Sequence, residues 1–365
     1  MSGRGHHAAN ATTAAETTPA RVWIDLVSPS HPFFFDGLVD GLENVSVTTT
    51  VREKTETVSL AREVGFEHRV VGRDFDNAFV RKFGIPFRTA QLAVSAPACD
   101  VSLSARNAMC VLASRARGTP SIHFTDNDIT AHIDGLWVEE LYNRFEAAAT
   151  HNVVPRAFAA EELTRWGADP DAIHTYDGYK EDVYVAGFDP DPEFPDQLPF
   201  ASGEYIVVRP EALTAAYVDA DSIVPDLLEA AAERDIGVVY LPRGRGDESY
   251  AREYDDNAVY APNGAMNGLQ LAWHARCVLT GSGTMSREAA CMEKPAVSFF
   301  PNTLLSVDQE LVADGRIFHS RDAGAIIDHI AALDPADIEP DRERARTVRN
   351  EVVTLTNELI RTVKQ

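Results

Sequence analysis

The sequence predicts an α/β protein of two Rossmann-like parallel-sheet domains facing each other across a cleft, and three observations carry that prediction. At 365 residues the chain is too long for one ordinary compact core and suits two. Short apolar runs alternate with segments of helical spacing, the pattern of parallel strands joined by crossover helices. The alternation breaks once, in a proline-rich stretch, and then begins again.

In the first series, Arg21 to Val27 reads as a strand, the Ser28-Pro29-Ser30-His31-Pro32 segment ends it, and Phe33 to Leu42 resumes with helical spacing. Strand signals recur at Val45 to Val51, Glu67 to Val71, Val101 to Ser104 and Ser121 to Phe124. Helical spacing recurs at Glu53 to Val64, Ile85 to Ala96 and Asn107 to Arg117. His151 to Pro155 reads as a loop. Pro190, Pro192, Pro195 and Pro199 rule out a helix or central strand and mark an interdomain linker.

The second series places strands at Tyr205 to Arg209, Gly237 to Leu241, Ala258 to Tyr260, Cys277 to Thr280 and Ala296 to Phe299. Helices fall at Val224 to Arg234, Met266 to Ala275 and Met285 to Met292. After Pro340 a final amphipathic helix carries Val348, Val352, Leu355 and Leu359 on one stripe, suited to packing back across the hinge. The expected organisation is a disordered tail (1–20), a first domain (21–185), a linker (186–203), a second domain (204–340) and the closing helix (341–365).

Composition narrows the function. A formal net charge of −23 repels phosphate backbones, which argues against a nucleic-acid partner. Arg outnumbers Lys 28 to 5, and the dispersed acid resembles the halophilic pattern of archaeal cytoplasmic proteins, whose carboxylate repulsion is screened by molar salt. The cysteines Cys99, Cys110, Cys277 and Cys291 are scattered and form no metal or redox motif, as expected of a reduced cytoplasm. No apolar run approaches the roughly 20 residues of a membrane span, although peripheral membrane contact stays open.

The most informative segment is Leu279-Thr280-Gly281-Ser282-Gly283-Thr284-Met285-Ser286-Arg287-Glu288. A strand ends, small residues turn, and a helix starts at once. Its free N–H groups and dipole then favour a diphosphate, and Glu288 one turn on suits ribose hydroxyls. Arg209, ending the first strand of the second series, and Arg243 offer guanidinium forks for a phosphate. A capped turn without ligand is the alternative.

In the first domain, Ser28, Ser30 and His31 follow the first strand, and a histidine of pKa about 6.5 suits the deprotonation of a sugar hydroxyl. His31, Asp126 and His123 are therefore the catalytic candidates, with Arg106 and Asp128 lining the same rim. Asp126-x-Asp128 has the oxygen chemistry to hold Mg²⁺, but the ordinary alternative is a helix cap; no metal or other cofactor is required. No zinc spacing, phosphate-binding Walker loop or serine nucleophile elbow is present.

On these residues the chain resembles the family of unknown function numbered 354, within the GT-B superfamily. The carriers are VWIDLVSPSHPFFF, the 177–184 stretch DGYKEDVY, VVRPEALTAAY and LTGSGTMSREAACMEKPAVSFFP. That family is similar to non-hydrolysing UDP-N-acetylglucosamine 2-epimerases and, more distantly, to glycosyltransferases. The resemblance implies that Ser282, Gly283, Thr284 and Glu288 hold the diphosphate and ribose of a nucleotide sugar, UDP-linked by analogy.

It does not carry the epimerase chemistry across. Arg106, Thr125 and Arg209 stand where the epimerases carry acid and base groups, although His123 is kept, so epimerisation would need Asp126 or Asp128 as a substitute. The leading expectation is a nucleotide-sugar-dependent glycosyltransferase-like enzyme with an unnamed acceptor. The alternatives are a UDP-sugar 2-epimerase and a non-catalytic nucleotide-sugar binding protein.

Overall fold

A computed structural model describes residues 18–53, 56–73, 78–211, 221–244 and 246–364. The tail expected over 1–20 lies outside these residues up to position 17, and so does Arg245. Ala20 already belongs to the first strand.

The first sheet is built from β1 (Ala20–Leu26), β2 (Val45–Glu53), β3 (His68–Arg73), β4 (Val101–Ala105), β5 (Ser121–Phe124), β6 (His151–Pro155) and β7 (Ile173–Tyr176). Its order is β3-β2-β1-β4-β5-β6-β7, with parallel pairing throughout. The 151–155 segment is thus a strand and not the expected loop; β6 is buried from Asn152 onward and hydrogen-bonded on both sides.

Its helices are α1 (His31–Val39), α2 (Thr57–Glu63), α3 (Ala78–Ser95), α4 (Ala108–Ala116), α5 (Trp137–Glu146), the short α6 (Glu161–Thr164) and α7 (Lys180–Val185). Phe34 and Phe35 of α1 are buried against Phe124, so the triple-phenylalanine run is helix packing.

The second sheet holds β8 (Tyr205–Arg209), β9 (Gly237–Tyr240), β10 (Val259–Tyr260), β11 (Cys277–Thr280), β12 (Ala296–Ser298) and β13 (Ile317–His319). The order is β10-β9-β8-β11-β12-β13, again all parallel. Around it lie α8 (Val224–Ala232), α9 (Gly268–His274), α10 (Gly283–Cys291), α11 (Ser306–Ala313) and α12 (Ala323–Ala331).

The closing helix, α13 (Glu343–Lys364), buries Val348, Val352 and Leu359 and lies against α7 and α1. Arg349 donates to the Gly37 carbonyl and pairs with Asp40, and Asn357 bonds the backbone of Gly41 and Glu43. The chain therefore returns from the second sheet to the helices of the first. Both sheets reverse strand order at their first strand, between β1 and β4 and between β8 and β11, and open α/β sheets take ligands beyond the strand ends at such a point.

Candidate functional site

At the switch point of the second sheet, β11 pairs with β8 so that Thr280 lies beside Arg209, and Gly281 N–H donates to the Arg209 carbonyl at 3.0 Å. A Cβ on Gly281 would fall 2.6 Å from the Glu211 backbone nitrogen, so only glycine lets the two loops touch. Ser282 is the N-cap of α10, yet no side chain caps the helix. Its hydroxyl instead meets Thr280 Oγ1 at 3.1 Å and accepts from Arg243 Nη2 at 2.7 Å.

Ser282, Gly283, Thr284 and Met285 are all only half-buried. The first turn of α10 is thus a partly open row of amides at the positive end of the helix, flanked by two arginines.

Arg209 is half-buried, and its guanidinium makes a single long bond, 3.5 Å to the Leu241 carbonyl, among the described residues. Burial lowers its pKa, and the charges of Glu56, Glu288 and Asp247 oppose that. Arg243 reaches from β9 to the Pro210 carbonyl and to Ser282, so its loop is joined to the helix start and is not a plain solvated turn.

Glu288 accepts from Tyr184 Oη of α7 at 2.7 Å. Burial pushes its pKa up to about 7, against the opposing Tyr184 hydrogen bond.

The rim of the first sheet is organised differently. Val27 N–H donates to His31 Nδ1 at 3.3 Å, so the neutral ring carries its proton on Nε2. His31 is therefore a donor and not the expected base. Ser28 and Ser30 are half-buried and use their carbonyls to start α1.

His123 is fully buried, with Nδ1 2.9 Å from Ser104 Oγ and Nε2 turned to Glu146 at 3.6 Å; it lies under the rim, out of reach of a substrate. Asp126 meets Lys180 Nζ at 3.0 Å and Arg287 at 3.6 Å. Burial raises its pKa, but those cations outweigh it and hold the carboxyl well below the usual carboxylate range, so Asp126 stands as the ion-pair partner of two cations.

Asp128 spans the lobes, accepting from Ala159 N–H at 3.0 Å and from Ser306 N–H of α11 at 3.1 Å, while His132 meets Ser306 Oγ at 3.0 Å. Both carboxylates of the Asp126-x-Asp128 pair are thus engaged by protein groups. Among the described residues no cluster of three or more His, Cys, Asp or Glu could hold a metal.

Arg106 does line the rim, in a left-handed conformation (φ 39°), but it is pinned by Glu146 at 2.6 Å, Glu139 at 2.5 Å and Asn143 at 2.8 Å.

Several central residues escaped the sequence reading. Arg287, one turn into α10, is buried and bonds Glu181 of α7 at 3.1 Å and Asp308 of α11 at 3.1 Å. A Cβ on Gly283 would collide with that guanidinium. Glu211 is buried under Ser222, Ile223 and Arg321. In the first lobe, Asp25 forms a buried two-point pair with Arg88 at 2.8 and 2.9 Å. The available signal was the charge-dense Lys180-Glu181-Asp182 segment inside an apolar stretch.

The fold is similar over nearly its whole length to nucleotide-sugar proteins. An S. aureus MnaA–UDP co-structure covers 95% of this chain and 98% of its own at a TM-score of 0.68 and 12% identity. The UDP-GlcNAc 2-epimerase of Neisseria meningitidis bound to UDP-GlcNAc covers 93% and 100% at 0.66 and 14%. The kitacinnamycin glycosyltransferase covers 96% and 100% at 0.60 and 15%.

At these identities the likeness is one of fold, the two facing parallel-sheet lobes of the GT-B architecture. By sequence, an uncharacterised protein of Methanocaldococcus jannaschii is 23% identical over 321 residues, 85% of this chain and 90% of its own. Residues 20–361 match the family described as protein of unknown function DUF354, and the chain belongs to that family.

Proposed function

We propose that this chain is a nucleotide-sugar-dependent enzyme of glycosyltransferase type, with the diphosphate held by the turn from Gly281 to Thr284. The observation that carries the reading is the uncapped start of α10 between Arg209 and Arg243. Free amides and the helix dipole favour an anion there, and the two guanidiniums suit a phosphate beside it. Glu288 then accepts the ribose hydroxyls. UDP is the nucleotide of choice because similar folds are known with UDP and UDP-GlcNAc.

The acceptor enters over Ser28 and Ser30, where His31 Nε2 donates to it. Asp126 is committed to Lys180 and Arg287, so the acceptor hydroxyl passes its proton to the departing diphosphate as the new glycosidic bond forms and the old one breaks. The α10 N-terminus stabilises the leaving group's charge, and the scheme needs no metal.

Release of UDP from UDP-sugars, measured for the parent, His31→Ala and Glu288→Ala, tests this. Turnover should fall in both variants, and unchanged rates in both would remove the assignment.

A second reading, nucleotide-sugar binding without turnover, is favoured by the ion-paired state of the first lobe's rim; tight UDP binding with no release from any donor would select it. Epimerisation at C2 has the weaker support, since Arg106 is locked to carboxylates. Solvent deuterium entering that carbon would bring it back.

A further inference from the structure

At the far end of α10 from the nucleotide turn lies Lys294, 6% exposed, whose ammonium makes no hydrogen bond or ion pair among the described residues. Lysine is almost never so buried unless paired, because an ammonium stripped of water and given no counter-charge is unfavourable. Burial draws its pKa down to about 8.

Lys294 lines a cavity of about 540 Å³, a size that admits a small ligand. Arg316 lines it too, with Nη2 on the Ala290 carbonyl and on Glu293, while its buried Nη1 has no hydrogen-bond partner. The walls also carry Glu293, Asp334, Asp337 and Glu339. None of these carboxylates pairs with Lys294.

We propose that this cavity is a second ligand site, in which Lys294 seats the oxyanion of a compact monoanionic ligand that carries hydroxyl groups. The unpaired ammonium calls for one negative charge. The carboxylates on the walls accept hydroxyls and repel polyanions, so the diphosphate ligand of the turn does not suit this cavity. The nine residues of α10 put about 13 Å of helix between the two sites. The proposal is independent of the chemistry assigned to the cleft.

The chain has only five lysines, Lys54, Lys82, Lys180, Lys294 and Lys364, so reductive methylation read by peptide mass spectrometry resolves each one. The full chain is labelled near pH 8 at constant chloride, with and without inorganic phosphate or D-gluconate. A seated oxyanion holds the proton on Nζ, so labelling of Lys294 should fall several-fold while exposed Lys364 keeps its rate.

Protection by gluconate bears out a hydroxylated monoanion, protection by phosphate, which is mostly a dianion at this pH, without protection by gluconate overturns that assignment, and no protection by either overturns the site. Calorimetry of the protecting anion on Lys294→Met, with circular dichroism and a cooperative thermal melt as the control for folding, gives the second readout. Saturable heat that survives the substitution would also overturn it.

Discussion

The two lobes present the same kind of surface to the cleft, the loops after parallel strands flanking a switch point, yet they treat charge in opposite ways. In the first lobe Arg106, Asp126 and Asp128 are all consumed by the protein itself, through Glu139 and Glu146, through Lys180 and Arg287, and through backbone amides. In the second, Arg209 bonds the Leu241 carbonyl, and Arg243 reaches the Pro210 carbonyl and the Ser282 hydroxyl at the start of α10. Carboxylates and cations bound to one another hold the chain's parts together, whereas guanidiniums gathered on carbonyls and a hydroxyl at a helix start are what an anionic ligand can use. The first rim is a latch, and the second is the seat we propose for an anion.

Salt should separate the two kinds of charge most strongly. Of the chain's 56 acidic residues many lie on the surface, where repulsion reaches about 10 Å in 0.1 M salt but only about 3 Å in 1 M. The unfolding midpoint is expected to fall steeply as KCl drops below molar concentration. A midpoint that stays flat would remove the halophilic reading.

Next in size is Arg287→Met, which strands Glu181, Asp308 and Asp126 without their shared cation. Removing one partner of a buried pair costs about 3–5 kcal/mol, and denaturant titration should show that loss. Because the network is buried, the loss should be nearly the same in dilute and in molar KCl. A loss confined to low salt would place the network in water and break the latch description.

Much of this was legible in the chain, and what was missed shares one physical cause. The alternation of apolar runs marks most strands, because strands buried on both faces need continuous Val, Ile and Leu. The 281–284 turn is legible because local backbone chemistry alone makes it. Neither the latch nor α7 is. Lys180, Glu181 and Asp182 look like a solvated charge run beside a proline-rich linker, yet Glu181 and Asp182 are buried because α1, α10 and α13 pack around α7.

The partner of Glu181 is 106 residues away, so no local pattern announces it. His31 shows the converse. Its residue type suggested a base, but the hydrogen bond that fixes its tautomer comes from Val27, which composition cannot display.

Paired substitutions test the comparison directly. Arg243→Ala should weaken UDP binding by roughly ten- to a hundredfold, the range of about 1.5–3 kcal/mol for a hydrogen bond to a charged group, with little change in Tm. Arg106→Ala should do the reverse, lowering Tm while leaving UDP affinity near its parent value. Calorimetry and thermal melts on both variants decide it, and exchanged outcomes would reverse the roles assigned to the two rims.

The smallest effect is expected at Glu288, where the two lobes touch through Tyr184. Its carboxyl ionises at about 7 in the folded chain against an ordinary 4.5, chiefly because burial disfavours the charge. Between those values the unfolded chain gives up its proton before the folded one does. The parent's stability therefore declines as pH rises through that window and stays lower above it.

Glu288→Gln has no proton to lose, so its Tm should match the parent's at pH 4.5 and exceed it by a few degrees at pH 8. UDP affinity of the parent should climb over the same interval, as the ionised carboxylate becomes able to accept ribose hydroxyls, while that of the variant stays level. Melting curves that remain superposed across the whole interval would mean that the carboxylate is hydrated, and that the cleft is wetter at the joint between lobes than the Tyr184 contact requires.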